Sequence, residues 1–145
     1  MFKHILVPTD GSRLSEKAVR HAVEFARELK AKVTTLHVIP KFHTFTYAVE
    51  MLDMSAEEYE KTGAEHAQRY LRFAQRVAKS AGVECAVAHA SGDQPYKEII
   101  KAAQKNGCDL ILMASHGRRG IEGFLLGSET QKVLTHSRTP VLVYR

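Results

Sequence analysis

Hydrophobic and polar positions along this chain alternate between short unbroken apolar runs and longer stretches with helical spacing. Phe2 to Val7 is an apolar run closed by Pro8, and Thr9-Asp10-Gly11-Ser12 is a cluster of turn and cap residues. Ala18, Val19, Ala22, Val23, Phe25, Ala26 and Leu29 recur at three- and four-residue steps, which predicts one apolar helical stripe. Val33 to Ile39, rich in Val, Thr and Ile, predicts a strand stopped by Pro40. Ser55-x-x-Glu58 has the spacing of a capping box, in which two side chains satisfy each other's orphan backbone donors. Tyr59, Gly63, Ala67, Tyr70, Ala74, Val77, Ala78 and Ala81 then keep helical spacing up to Gly82, which is placed as a C-terminal cap.

The second half repeats the alternation. Val83 to Ala90 predicts a third strand, with Val83, Cys85, Val87 and His89 alternating with smaller or charged residues as in an edge strand with one wetter face. Asp93-Gln94-Pro95 opens a helix whose stripe is Tyr96, Ile99, Ile100 and Ala103 and whose stop is Asn106-Gly107. Asp109 to Met113 predicts a fourth strand, a short helix runs from the Gly127-Ser128 pair to about His136, and Pro140 to Tyr144 supplies a fifth strand. Residues 41–54 have no clear period; Phe42, Phe45, Tyr47, Met51 and Met54 either cover a pocket or pack against the neighbouring helix. Strands alternating with helices of this length imply an α/β fold, a doubly wound parallel sheet of five strands with helices on both faces. Ligands of such sheets bind outside the carboxyl ends of the strands, where strand order reverses.

Length and composition narrow the picture. The 145 residues fit a single domain, 1–145, with a proper hydrophobic core and no visible linker. No apolar run reaches membrane-helix length, and MFKHILVPTD meets a proline and an aspartate too early for a secretory signal, so a cytoplasmic location is expected. The net charge of +5 is spread over helices and loops and is not gathered with aromatics into one tract, which argues against a dedicated nucleic-acid site. Cys85 and Cys108 have no metal-ligand spacing and read as reduced structural thiols. No metal site is expected from the protein's own side chains.

The candidate chemistry lies in Met113 to Thr130, MASHGRRGIEGFLLGSET. Gly117, Gly120, Gly123 and Gly127 punctuate a loop between a buried strand and a helix start, where a backbone without Cβ atoms can approach a ligand. Exposed first-turn amides and the helix dipole both favour an anion there. The alternative is a set of tight turns with no ligand.

Read as Ala114-x2-Gly117-x9-Gly127-Ser128, this loop resembles the nucleotide-binding signature of the universal stress protein family, with Ala114 in place of the first signature glycine. Ile5-Leu6-Val7-Pro8-Thr9-Asp10-Gly11-Ser12, Leu36-His37-Val38 and Thr139-Pro140-Val141-Leu142-Val143 resemble the family's opening, second and closing strands, so the resemblance covers nearly the whole chain. It implies the strand order 3-2-1-4-5, which makes the first and fourth strands neighbours and sets Asp10 across one crevice from the glycine loop. It further implies binding of ATP, or of ADP or AMP, with Mg held through the phosphates. Pro8, Thr9 and Asp10 would border the nucleotide, Asp10 meeting the ribose, and Val38 would offer backbone groups to the adenine edge. Gly117, Gly127, Ser128, Glu129 and Thr130 would surround the phosphates, with Arg118 and Arg119 adding charge. Met113 and Ala114 would floor the pocket beside His116. Taken singly, Asp10 also fits a turn or cap residue and His116 a histidine bonded to the loop backbone.

The implied activity is that of a stress-response sensor or regulator with slow or no hydrolysis, because Gly123-x3-Gly127-Ser128 lacks the lysine of a Walker motif. An alternative within the family is a dimeric stress factor that works without nucleotide through a protein partner. A hydrolase built on Ser115 and His116 is a remote reading, since no GxSxG elbow accompanies them. The closing strand, Val141, Leu142 and Val143, is expected to pair with its counterpart in a homodimer, since an uncovered strand edge is a template for pairing.

Overall fold

The computed structural model describes residues 1–42, 54–118 and 125–145. Most of the 41–54 segment, together with Arg119, Gly120 and Gly123, lies outside the described residues. The elements in chain order are β1 (His4–Pro8), α1 (Arg13–Leu29), β2 (Lys32–Ile39), α2 (Ala56–Ala81), β3 (Cys85–Ser91), α3 (Pro95–Lys105), β4 (Leu110–Ala114), α4 (Ser128–His136) and β5 (Val141–Tyr144).

The five strands form one sheet in the order β3-β2-β1-β4-β5, and every neighbouring pair is parallel. β1 and β4 are unbroken apolar runs because both their faces are covered. Successive residues of β1 divide between the two layers. Ile5 and Val7 join a core with Ala18, Ala22 and Ala26 of α1 and Ala74 and Ala78 of α2. Leu6 joins a second core with Ile99 and Ala103 of α3 and Val133 of α4. The alanines on α1 and α2 let those helices lie close to the sheet, and each fully buried Val, Leu or Ile side chain contributes about 1.5–3 kcal/mol.

Local signals place the ends of the elements. Ser12 caps α1 by accepting the Ser15 amide, and Ser55 and Glu58 form the capping box of α2 at 2.8 and 3.1 Å. Gly82 ends α2 in the left-handed conformation, φ 69°. All five strands differ by a residue or two from the sequence expectation: the first begins at His4 and includes Pro8, the second begins at Lys32, the third runs from Cys85 to Ser91, the fourth from Leu110 to Ala114, and the fifth begins at Val141. Val83 is buried against the α1–α2 core as the chain leaves its helix, so its apolarity reflects packing and not a place in the ladder. Polar groups carried into the sheet find partners, as His4 Nε2 lies 2.7 Å from the Thr34 hydroxyl.

Candidate functional site

β1 and β4 are neighbours whose chains leave in opposite directions across the sheet, and the turn after β1 meets the loop after β4 at that reversal. Thr9 continues the sheet for one residue, its amide donating to the Leu36 carbonyl at 2.8 Å. Its hydroxyl lies 3.1 Å from that of Ser15. The chain then turns at Asp10, whose Oδ1 accepts the Ser12 amide at 2.9 Å, a local bond typical of aspartate in turns. The other carboxylate oxygen reaches across the crevice and accepts the Arg118 amide at 2.8 Å. Burial pushes the Asp10 carboxyl upward, but hydrogen bonds from Ser12, Arg118 and Ser15 outweigh it and hold the group below the ordinary aspartate range. A Cβ on Gly117 would overlap the same carboxylate, so this glycine is what lets the loop come so close.

The far wall is the join between β4 and α4. The Gly127 amide donates to the Ser115 carbonyl at 2.8 Å, and the Thr130 hydroxyl donates to the Ala114 carbonyl at 3.0 Å. A Cβ on Gly127 would lie 3.1 Å from His116 Cα, tighter than an ordinary contact. Gly127 is therefore the N-cap position of α4, pressed onto the end of β4, and Ser128 opens the helix from an exposed position. First-turn amides of a helix have no intrahelical acceptor, so those of α4 are suited to an anion.

The other expected residues divide by environment. Met113 and Ala114 are buried beneath the crevice, Met113 in the α3–α4 core and Ala114 in the α1–α2 core. Pro8 and Val38 are half-buried at the carboxyl ends of β1 and β2. The Glu129 carboxylate is engaged elsewhere: one oxygen accepts the Tyr96 amide at 2.8 Å and the other lies 3.0 Å from Lys132 Nζ. It thus closes the start of α3, where Gln94 makes no side-chain cap bond. Ser115 Oγ lies 3.2 Å from His116 Nδ1, but Ser115 is only 5 % exposed, which leaves its hydroxyl poorly placed to attack a substrate. Among the described residues, no group of three or more His, Cys, Asp or Glu side chains is placed to hold a metal ion.

Three side chains that the sequence reading did not assign complete the crevice. Tyr70 of α2 lies against Gly11, which has φ 74° and no room for a Cβ beneath the ring. The Arg118 guanidinium sits over that ring, 5.2 Å from its centroid, and donates to the Tyr70 hydroxyl. His37 packs edge-on against the ring at 5.1 Å, and its Nδ1 lies 2.8 Å from the Thr9 carbonyl. Burial lowers the His37 pKa, which keeps the ring neutral at pH 7; the Thr9 bond and the Asp10 charge only partly offset this. The His66 ring lies 6.0 Å from that of Tyr70. Tyr70 kept the spacing of an ordinary apolar stripe and His37 sat inside an apolar strand. Only the histidine's presence in that strand marked the position as unusual.

These features define a doubly wound α/β protein with a polar crevice at the point where strand order reverses. The model of the universal stress protein family matches residues 1–145, and the chain belongs to that family. It is 32% identical over 145 residues to universal stress protein MJ0531 of Methanocaldococcus jannaschii, covering all of this chain and 83% of that one. The solved structure of MJ0577, a universal stress protein of the same organism, superposes with a TM-score of 0.82 at 31% identity, covering 99% of this chain and 95% of that one. A universal stress protein solved in complex with cAMP matches with a TM-score of 0.73 at 28% identity, covering 99% and 97%. Among the described residues no helix is long and apolar enough to cross a membrane.

Proposed function

We propose that this protein binds an adenine nucleotide, ATP in the first place, in the crevice between the β1 turn and the 114–130 loop, and that it acts as a dimeric, cytoplasmic stress-response sensor. The observation that carries the proposal is the convergence of the Asp10 carboxylate with the Gly117–Arg118 backbone, beside the amino end of α4. A carboxylate accepts hydrogen bonds from ribose hydroxyls, and helix-start amides donate to phosphate oxygens. A relative solved with cAMP supports the adenine nucleotide as the ligand class.

In this reading Pro8, Thr9 and Asp10 border the sugar, and Val38 presents backbone groups to the base. Gly117, Ser128, Glu129 and Thr130 serve the phosphates through main-chain amides, since the side chains of Glu129 and Thr130 are already bonded to Tyr96 N and Ala114 O; Gly127, whose own amide is bonded to the Ser115 carbonyl, borders the phosphates as a residue without a Cβ. Among the described residues Arg118 is a cation within reach, Met113 and Ala114 are the floor, and His116 flanks the loop. Burial of Ala114 in the α1–α2 core favours a crevice that its methyl leaves open, despite the departure from the signature. Mg would be held by phosphate oxygens and water. Turnover is slow or absent, because the loop carries no Walker lysine.

Sensing follows from competition. The Arg118 amide holds one Asp10 oxygen and its guanidinium rests on Tyr70. A ribose hydroxyl bidding for that oxygen, and phosphates drawing the guanidinium, both reset the 114–130 loop and so change the surface offered to a partner protein. The test is calorimetry with Mg-ATP on protein stripped of nucleotide, together with mass spectrometry of small molecules released from freshly purified protein. Saturable heat and released adenine nucleotide are expected. No heat at high micromolar ATP would sink the proposal and favour a nucleotide-free interaction protein.

A further inference from the structure

Arginines scattered along the sequence are gathered by the fold on the outer side of the α1–α2 layer. A trough of about 450 Å³ runs between these helices, with Val23, Phe73, Val77 and Ala81 along its floor and Arg20, Arg27 and Arg76 at its rim. The lining positions repeat every three or four residues on both helices, so they form two facing flanks. At Arg76 it meets a second depression, of about 370 Å³, lined by Glu65, Gln68, Arg69, Arg72 and Arg76. From Glu65 to Ala81 the combined path is about 24 Å long at helical rise.

The charge is lopsided. Arg20, Arg27, Arg69, Arg72 and Arg76 line the two depressions, against Glu24 and Glu65. Glu24 is itself 3.6 Å from His21, and Arg27 lies 3.4 Å from the neighbouring Glu28. The Arg20 guanidinium covers the Phe73 ring at 4.9 Å. A guanidinium stacked in this way keeps in-plane N–H donors available to a planar anion such as a carboxylate. The apolar floor distinguishes the occupant. A flat anionic membrane meets only the rim of a trough, and a single-stranded nucleic acid would need an aromatic face to stack on, which Arg20 already covers at Phe73.

We propose that this trough docks an acidic amphipathic helix of a partner protein, its apolar stripe on Val77 and Ala81 and its carboxylates on Arg20, Arg27 and Arg76. An apolar floor with basic rims is the complement of such a helix, and the path accommodates about sixteen helical residues. The surface lies on the helix layer and uses none of the residues assigned to the nucleotide, so it stands whether or not the crevice binds one.

The test uses the full chain and a synthetic peptide of about sixteen residues, with Leu at helical spacing on one face and Glu on the other, beside a scrambled peptide of equal composition. Fluorescence anisotropy is expected to show saturable binding that weakens with salt, with the scrambled peptide weaker. Amide chemical shifts should move at 20–27 and 73–81. Arg20→Glu/Arg76→Glu should weaken binding by about tenfold or more, while its melting temperature and Mg-ATP calorimetry match the parent. If that variant fails to fold, the single Arg27→Glu change at an exposed position gives the same reading. The proposal is overturned by no saturable binding up to roughly 500 µM peptide, or by equal affinity in the charge-reversed protein. It is equally overturned if a single-stranded DNA oligomer or a phosphatidylserine vesicle binds this face more tightly than the peptide.

Discussion

Asp10 and Arg118 are separated by 108 positions, yet a carboxylate oxygen of the first accepts the main-chain amide of the second at 2.8 Å. The contact needs β1 and β4 side by side, a turn that aims Asp10 outward, and Gly117 without a Cβ in the way. It also holds the carboxylate ionised, with lone pairs left to accept further hydrogen bonds.

Asp10→Asn keeps the shape and removes the charge, and the new amide nitrogen faces either the Ser12 or the Arg118 N–H, donor against donor. Loss of a charge-assisted hydrogen bond costs about 1.5–3 kcal/mol, which predicts nucleotide affinity weaker by roughly ten- to a hundredfold. Gly117→Ala should act in the same direction, by driving a methyl into the carboxylate. Calorimetry on stripped protein measures both, and unchanged affinity in both variants would remove Asp10 and Gly117 from the site.

Gly11→Ala tests the second layer of the crevice. The position has φ 74° and lies under the Tyr70 ring. The left-handed conformation costs an L-residue about 1–2 kcal/mol before any steric clash, and displacement of the buried ring adds to it. The expected loss exceeds about 2 kcal/mol, a fall in melting temperature of roughly 4–8 °C for a chain of this size. Tyr70→Phe, which removes only the hydroxyl that Arg118 binds, should leave the melting temperature nearly unchanged. A Gly11→Ala protein as stable as the parent would show that the turn accommodates a side chain.

What could be read in advance depended on how local the cause was. The Ser55–Glu58 box and the Gly82 cap are decided within a few residues, and both stand where their spacing put them. The runs at β1 and β4 announced strands covered on both faces. Strand order was not in the periodicity at all and came only with the family resemblance. Long-range side-chain choices stayed hidden for the same reason. Glu129 sits in the glycine-loop signature, yet its carboxylate closes α3, because the start of that helix has no side-chain cap of its own and lies beside α4. Tyr70 kept the rhythm of a core stripe, and nothing near it in sequence indicated that Gly11, His37 and Arg118 would gather on its ring.

Acid should destabilise the fold in two stages. The buried His37 and His4 rings have folded pKa values below the ordinary histidine value, both chiefly through burial. In the window between the folded and unfolded values the unfolded chain binds the proton and the folded chain does not, so stability falls as pH drops below about 6.5. Asp10 works at lower pH. Its folded pKa is depressed, so its contribution is complete above the unfolded aspartate value and disappears as pH falls through the folded one. Denaturant midpoints between pH 8 and pH 3 should decline first over the histidine range and again over the carboxylate range. His37→Gln should flatten the first decline, and an unaltered profile in that variant would reassign the titrating group.

The two thiols should be sluggish. Burial, with a further push from the Asp109 charge, takes the Cys108 thiol up to about 11, and the residue is 8 % exposed. Burial also raises Cys85, which lies partly open on the edge strand β3. The thiolate is the reactive form, so at neutral pH a disulfide-exchange reagent should modify Cys85 slowly and Cys108 more slowly still. Unfolding in denaturant should expose both at once. Fast modification of Cys108 in the native protein would mean that the base of β4 opens far more readily than its packing indicates.

The edge at β5 carries the remaining prediction. One side of this strand pairs with β4 from Ile111–Val141 to Ala114–Tyr144, and Leu142 remains 38 % exposed, with Leu134 of α4 at 42 %. An open strand edge with exposed leucines invites pairing, and a two-fold partner bringing the same strand would cover both edge and side chains. The proposed homodimer through Val141, Leu142 and Val143 therefore predicts that Leu142→Glu releases monomers, since two like charges would meet across the axis in a desolvated contact. Light scattering coupled to gel filtration at micromolar concentration should give a dimer for the parent chain and a monomer for the variant. The variant's melting temperature should then vary less with protein concentration than the parent's, because only the parent's folded state is linked to association. A parent that runs as a monomer, or a variant that stays dimeric, would place the interface elsewhere or remove it.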